Sequence, residues 1–131
     1  MMDRKRLLKH LVFLVFFIFI ANLLAQQFYW YFSIWYFDMF MHFLGGFWVG
    51  LVFLWFFSRE STSLEPFLQL IFKVIFAVLM VGILWEIFEI SIDKIIIQNP
   101  FNALDTFSDI FFDLTGGLVA VLYFLKKWRN K

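Results

Sequence analysis

Polar residues punctuate this chain in blocks. Four runs, Leu7 to Ala25, Met39 to Phe57, Phe67 to Ile92 and Phe107 to Leu125, are almost wholly apolar and are separated by short polar or aromatic stretches. Each is near or above the roughly 20 residues that a helix needs to cross the hydrocarbon of a bilayer. The pattern predicts an all-α fold, a four-helix transmembrane bundle forming one integral membrane domain over residues 1–131. Composition agrees: 63% of residues are hydrophobic, mean hydropathy is +0.85 and 22 of 131 residues are Phe, more than a soluble domain of this size can bury. With no cysteine, disulfides, thiolate nucleophiles and cysteine metal ligands are excluded.

Charge sets the expected orientation. If both termini are cytoplasmic, four spans place Arg4, Lys5, Arg6, Lys9, Arg59, Lys73, Lys126, Lys127, Arg129 and Lys131 on the inner side, 10 of the 11 basic residues, and leave only Lys94 outside. This is the positive-inside bias of a multi-pass protein of the inner or plasma membrane, and a three-span reading would put the basic tails on opposite sides. The basic rim suits membrane lipids with anionic headgroups and gives no reason to invoke nucleic acid. Arg4 to Lys9 ahead of an apolar run also resembles a secretory signal. Leu23, two positions before Ala25, is not the small residue that cleavage there requires, so the run reads as a retained signal anchor.

The connections carry their own signals. Phe28 to Phe37 (FYWYFSIWYF) reads as an aromatic belt at the water–lipid boundary. Ser58 to Pro66 is a short polar turn. Asp93 to Asn102 contains the turn signal Asn99-Pro100, and Asn102 with Asp105 is suited to capping the fourth helix.

Against this background the acids stand out. Seven of ten carboxylates, Asp38, Glu86, Glu89, Asp93, Asp105, Asp109 and Asp113, lie in or beside the apolar runs, where an Asp at mid-span costs on the order of 3 kcal/mol. Asp38 sits at the mouth of the second helix with His42 one turn deeper, about 6 Å along. Glu86 and Glu89 occupy the last turns of the third. Asp105, Asp109 and Asp113 repeat every four residues and form a column about 12 Å deep on the fourth. Three helices thus aim carboxylates at one depth, the outer half, where only Lys94 and His42 can oppose them. Protonation or a bound divalent metal ion must neutralise the group. Glu86, Glu89, Asp109 and Asp113 are the candidate metal ligands, His42 is a ligand or general base, and Asp38 and Asp105 are accessory, with mouth or capping roles as the plainer reading. Oxygen donors suit Mg²⁺, Ca²⁺ or Mn²⁺, and His42 admits Zn²⁺ or iron. The competing structural reading is a polar network that only joins helices.

Glycines accompany the polar face. Gly45 and Gly46 follow His42 at three and four residues, Gly116 and Gly117 follow Asp113 at the same offsets, and Gly46 with Gly50 makes a small-xxx-small pair. Close packing of helices two and four is expected, as is the possibility of a homo-oligomer through the glycine faces. The matching spacings suggest two parallel hairpin repeats.

In Asp38-x-x-x-His42, Trp85-Glu86-x-x-Glu89 and Asp105-Thr106-x-x-Asp109-x-x-x-Asp113-x-x-Gly116 the chain resembles the small polytopic VanZ-like membrane proteins, and more closely the YjdF-like inner-membrane proteins. The resemblance covers helices two to four and implies a shared fold and polar site, in families whose biochemical activity is largely undefined. It departs from the VanZ-like pattern at Met39 (for Lys), Glu89 (for Gln) and Asp113 (for Asn), and lacks an Arg before helix four.

Other chemistries lack their motifs. No Asp-Gly-x-x-Ala-Arg precedes Asp109, as CDP-alcohol phosphotransferases require, and there is no Gly-x-Ser-x-Gly elbow, Gly-x-Gly-Asp segment or His-x-x-His cluster. Three classes are left. One is a metal-dependent hydrolase or transferase acting on a lipid or lipid-linked substrate at the outer leaflet. The second is an ion or proton pathway, and the third a noncatalytic membrane subunit. A pathway needs polar residues through the whole thickness, and the inner halves of helices two and four offer almost none, although Gln69 and Lys73 lie near the inner end of helix three.

Overall fold

The computed structural model describes residues 4–34, 36–60, 67–92, 95 and 103–126. Four long helices form: α1 (Arg4–Gln27), α3 (Phe37–Glu60), α4 (Phe67–Ile92) and α5 (Ala103–Phe124), with a one-turn α2 (Trp30–Ser33) between the first two. All four are long and apolar enough to span a membrane, where a helix meets its backbone hydrogen-bonding needs internally. The expected runs all appear. Three gain a few residues at one or both ends, because polar residues such as Arg4, Gln27 and Glu60 continue a helix as readily as apolar ones. The Asn99-Pro100 turn, the Asn102 cap, Asp93, Lys94 and the 61–66 segment lie outside the described residues.

Steric necessity fixes the packing of α3 on α5. A Cβ on Gly46 would collide with the Asp113 backbone, one on Gly50 would meet the Ala120 Cβ at 2.9 Å and the Gly117 Cα at 3.2 Å, and one on Gly116 would strike the backbone of Phe43 and Phe47. The two backbones therefore touch, as the glycine spacing predicts, and they run parallel. Gly117 instead faces Val78 of α4, and Gly45 faces open space. The small residues of α3 and α5 are thus largely used inside the chain.

Burial is polarised along the bundle. One end holds an apolar core of Leu7, Leu11, Leu51, Leu54, Leu70, Val74, Val78, Val121 and Phe124. The opposite end buries Glu86, Asp109 and Asp113. Outward faces carry large apolar side chains, among them Phe13, Phe72, Phe76 and Phe107, a surface suited to cover by lipid or by another protein. Helix α1 is held more loosely: among the described residues its backbone approaches α3 and α2 but neither α4 nor α5. The Trp48 indole N–H donates to the Leu11 carbonyl at 2.9 Å and helps fix it. At the α1–α2 junction Tyr29 adopts a left-handed backbone (φ 61°), a conformation that costs a non-glycine residue roughly 1–2 kcal/mol. Phe28 and Trp30 stack there at 5.9 Å and Trp30 meets Phe37 edge-on at 5.7 Å, so these three rings pack against one another across the turn.

Candidate functional site

The three acid-bearing helices are in register every four residues. Gly46 of α3 and Gly82 of α4 both face Asp113, while Gly50 and Val78 both face Gly117. One turn above Asp113, about 6 Å along each axis, the same register aligns His42, Glu86 and Asp109. Another turn aligns Asp38 with Asp105. The column of α5 acids thus becomes a set of layers, each faced by α3 and the two deeper ones also by α4.

His42 is the hub. Its Nδ1 lies 3.0 Å from Asp113 Oδ1, while Nε2 lies 3.4 Å from Asp109 Oδ2 and 3.6 Å from Asp38 Oδ1. Only the first distance is a good hydrogen bond. A proton on Nδ1 donated to Asp113 leaves the Nε2 lone pair directed at Asp109, and carboxylates commonly orient metal-binding imidazoles in this way.

His42, Glu86, Glu89 and Asp109 each offer a donor atom, all within 4.8 Å of one another. That upper bound is compatible with a Ca²⁺ ion, whose opposed oxygens at 2.3–2.6 Å stand about twice that distance apart. A tetrahedral Zn²⁺ with bonds of 2.0–2.2 Å would draw its ligands to within about 3.3–3.6 Å of one another. Asp38, Asp105 and Asp109 form a second, more open group on the solvent side. Asp113 stands behind the first group on the far imidazole nitrogen, and Gly82 makes room for it: a Cβ there would sit 2.9 Å from Asp113 Oδ2. Glu89 is steadied by the Trp85 indole, whose N–H donates to Oε1 at 2.8 Å.

Among the described residues, the buried oxygens Glu86 Oε1 and Asp109 Oδ2 have no hydrogen-bond partner, on residues only 4% and 1% exposed. An unsatisfied buried polar group costs about 1–3 kcal/mol, more when charged. Five carboxylates in and around the first group, those of Asp38, Glu86, Glu89, Asp109 and Asp113, face one imidazole. The cluster therefore favours a cation or protons that would satisfy these oxygens.

The sequence identified every acid gathered here, and His42. It did not single out Gly82, although its position one turn below Glu86 was a usable signal. Nor did it separate Asp113 from the other acids, because which imidazole nitrogen an acid meets is a matter of three dimensions.

The chain belongs to the family of predicted membrane proteins DUF2238, whose profile matches residues 2–130. No curated protein and no solved structure matches it.

Proposed function

We propose that this member of the DUF2238 family is a membrane-embedded, metal-dependent hydrolase or transferase that acts on a lipid or lipid-linked substrate. His42 Nε2, Glu86, Glu89 and Asp109 hold a divalent cation, and Asp113 positions the imidazole. The observation that carries this reading is the pair of buried oxygens without a hydrogen-bond partner, Glu86 Oε1 and Asp109 Oδ2, on residues gathered into one group with an oriented imidazole. A cation at that point supplies Lewis acidity and an activated water at neutral pH. Asp38, whose side chain is 43% exposed at the mouth and 3.6 Å from Nε2, is placed to exchange protons with water.

The distribution of basic residues supports cytoplasmic termini in a cell or inner membrane, with the site under the outer leaflet. A transmembrane ion pathway is less favoured because the apolar core around Leu51, Leu54, Val74 and Val121 closes the opposite half. The VanZ-like and YjdF-like resemblance supports the fold and the polar site and adds no activity of its own.

Elemental analysis of the protein purified in detergent tests the centre. The wild type should carry a divalent metal that Glu86→Gln and Asp109→Asn lose. Absence of metal from the wild type, with both variants as stable as the parent, would overturn the proposal. The metal-loaded protein should also cleave or transfer lipid-linked phosphate esters in a chelator-sensitive way.

A further inference from the structure

The carboxylate layer is one end of a larger hollow. A cavity of about 710 Å³ lies between α1 and α4 on the face of α3, within the 300–1,000 Å³ range usual for small-molecule sites. Asn22 and Gln26 of α1, with His42 and Glu89, line one end, while Ile18, Val49, Val78 and Val81 line the other. On α1, residues 15, 18, 19, 22 and 26 share the lining, one helical face whose character changes from apolar to polar toward the site.

Two features make the hollow a seat rather than a packing gap. First, the backbones of α1 and α4 do not approach each other among the described residues, so the cleft opens sideways between them, past exposed apolar residues, into the region where lipid lies. Second, Gly45 lines the cleft and a Cβ there would meet nothing within 4 Å, whereas its neighbour Gly46 is pressed against α5. From His42 to Val49 the cleft follows α3 for about 10 Å, enough for the upper half of an acyl chain. A water-soluble substrate could reach the polar end past Asp38, but it would have nothing to place against the apolar end. A bilayer lipid already has the matching form, with a polar head, an apolar tail and a lateral approach.

We infer that this cleft seats an acyl chain of a bilayer phospholipid, which enters between α1 and α4 and brings its phosphate to the layer of His42, Glu86, Glu89 and Asp109. The placement of the phosphate rests on the metal reading, because bare carboxylates repel it. The seating of the chain does not.

The test reconstitutes the protein in phospholipid vesicles containing a phosphatidylglycerol with a photoactivatable acyl chain and maps the adducts by mass spectrometry. Adducts should concentrate at Ile18, Val49 and Val81 over Phe72 and Phe76, which point outward from α4. Gly45→Leu, which fills open space and should fold, lowers the cleft adducts several-fold and leaves those on Phe72 and Phe76 unchanged. Val81→Trp does the same from the opposite wall. Adducts spread evenly around α4, or cleft labelling indifferent to both substitutions, overturn the inference. So does protection of the cleft by a second copy of the chain. Cleft labelling that persists in Glu86→Gln, or in a wild type without metal, supports the seat, and in the latter case it is the metal centre that fails.

Discussion

Adjacent glycines on α3 should respond oppositely to the same small change. In Gly46→Ala the new Cβ would lie 2.7 Å from the Asp113 carbonyl carbon and 2.8 Å from its Cα, where carbon atoms prefer about 3.5–4.0 Å. Relief requires α3 and α5 to part by more than about 1 Å, because the Asp113 carbonyl oxygen lies closer still, and overpacking of this kind costs about 1–3 kcal/mol. If α5 moves as a rigid rod, the His42–Asp113 bond stretches from 3.0 Å beyond the useful range. Losing such an interhelical bond in a membrane costs about 0.6 kcal/mol, up to about 1.7. Gly45→Ala meets nothing and keeps only the gain in helix propensity, about 0.8–1.0 kcal/mol. Both variants share that gain, so it cancels between them and the remaining difference is about 2–5 kcal/mol. Unfolding in mixed dodecyl maltoside–SDS micelles, followed by circular dichroism, measures it. Equal stability of the two variants, or a greater loss in Gly45→Ala, would refute the assignment of Gly46 to the helix contact and Gly45 to the cleft.

Further outcomes follow from the same geometry. Asp113→Asn should weaken metal affinity about 10–100-fold, the usual effect of losing an orienting partner, whereas Asp109→Asn abolishes binding; competition with a fluorescent chelator separates the two. Stripping the metal should lower unfolding free energy by about 2.7 kcal/mol relative to protein held at 100 times the dissociation constant, with no such effect in Glu86→Gln. Trp48→Phe removes the bond to the Leu11 carbonyl and should loosen α1 at a cost of about 0.6–1.7 kcal/mol, read as greater mobility of a spin label at Phe19. Because the chain has no cysteine, Asp38→Cys and Lys126→Cys can be labelled from either side. Asp38→Cys should react from outside and Lys126→Cys from the cytoplasm, and the reverse pattern would invert the topology.

Much of the fold was legible because lipid imposes a simple rule: a spanning segment must be apolar and helical, and both properties are local. The α4 boundaries matched at both ends. The boundaries of α1, α3 and α5 shifted by a few residues, since helix ends follow backbone hydrogen bonding while hydropathy follows lipid. The acids were visible for the same reason, as costly residues in apolar surroundings. The four-residue spacing of Asp105, Asp109 and Asp113 also revealed their shared face. The loose attachment of α1 left no trace in its sequence, because a helix facing lipid and a helix facing an apolar cleft draw on the same residues.

By itself, then, the sequence determined the spans, the clustering of carboxylates at one end, and the glycines needed where helices two and four meet. Tertiary structure decided which glycine faces a backbone and which faces a void, since Gly45 and Gly46 differ only by the 100° that separates neighbours on a helix. It also decided the division of labour among the acids. Whether an aspartate meets Nδ1 or Nε2 of His42 depends on the register between α3 and α5, set by Gly46 lying against the backbone of Asp113.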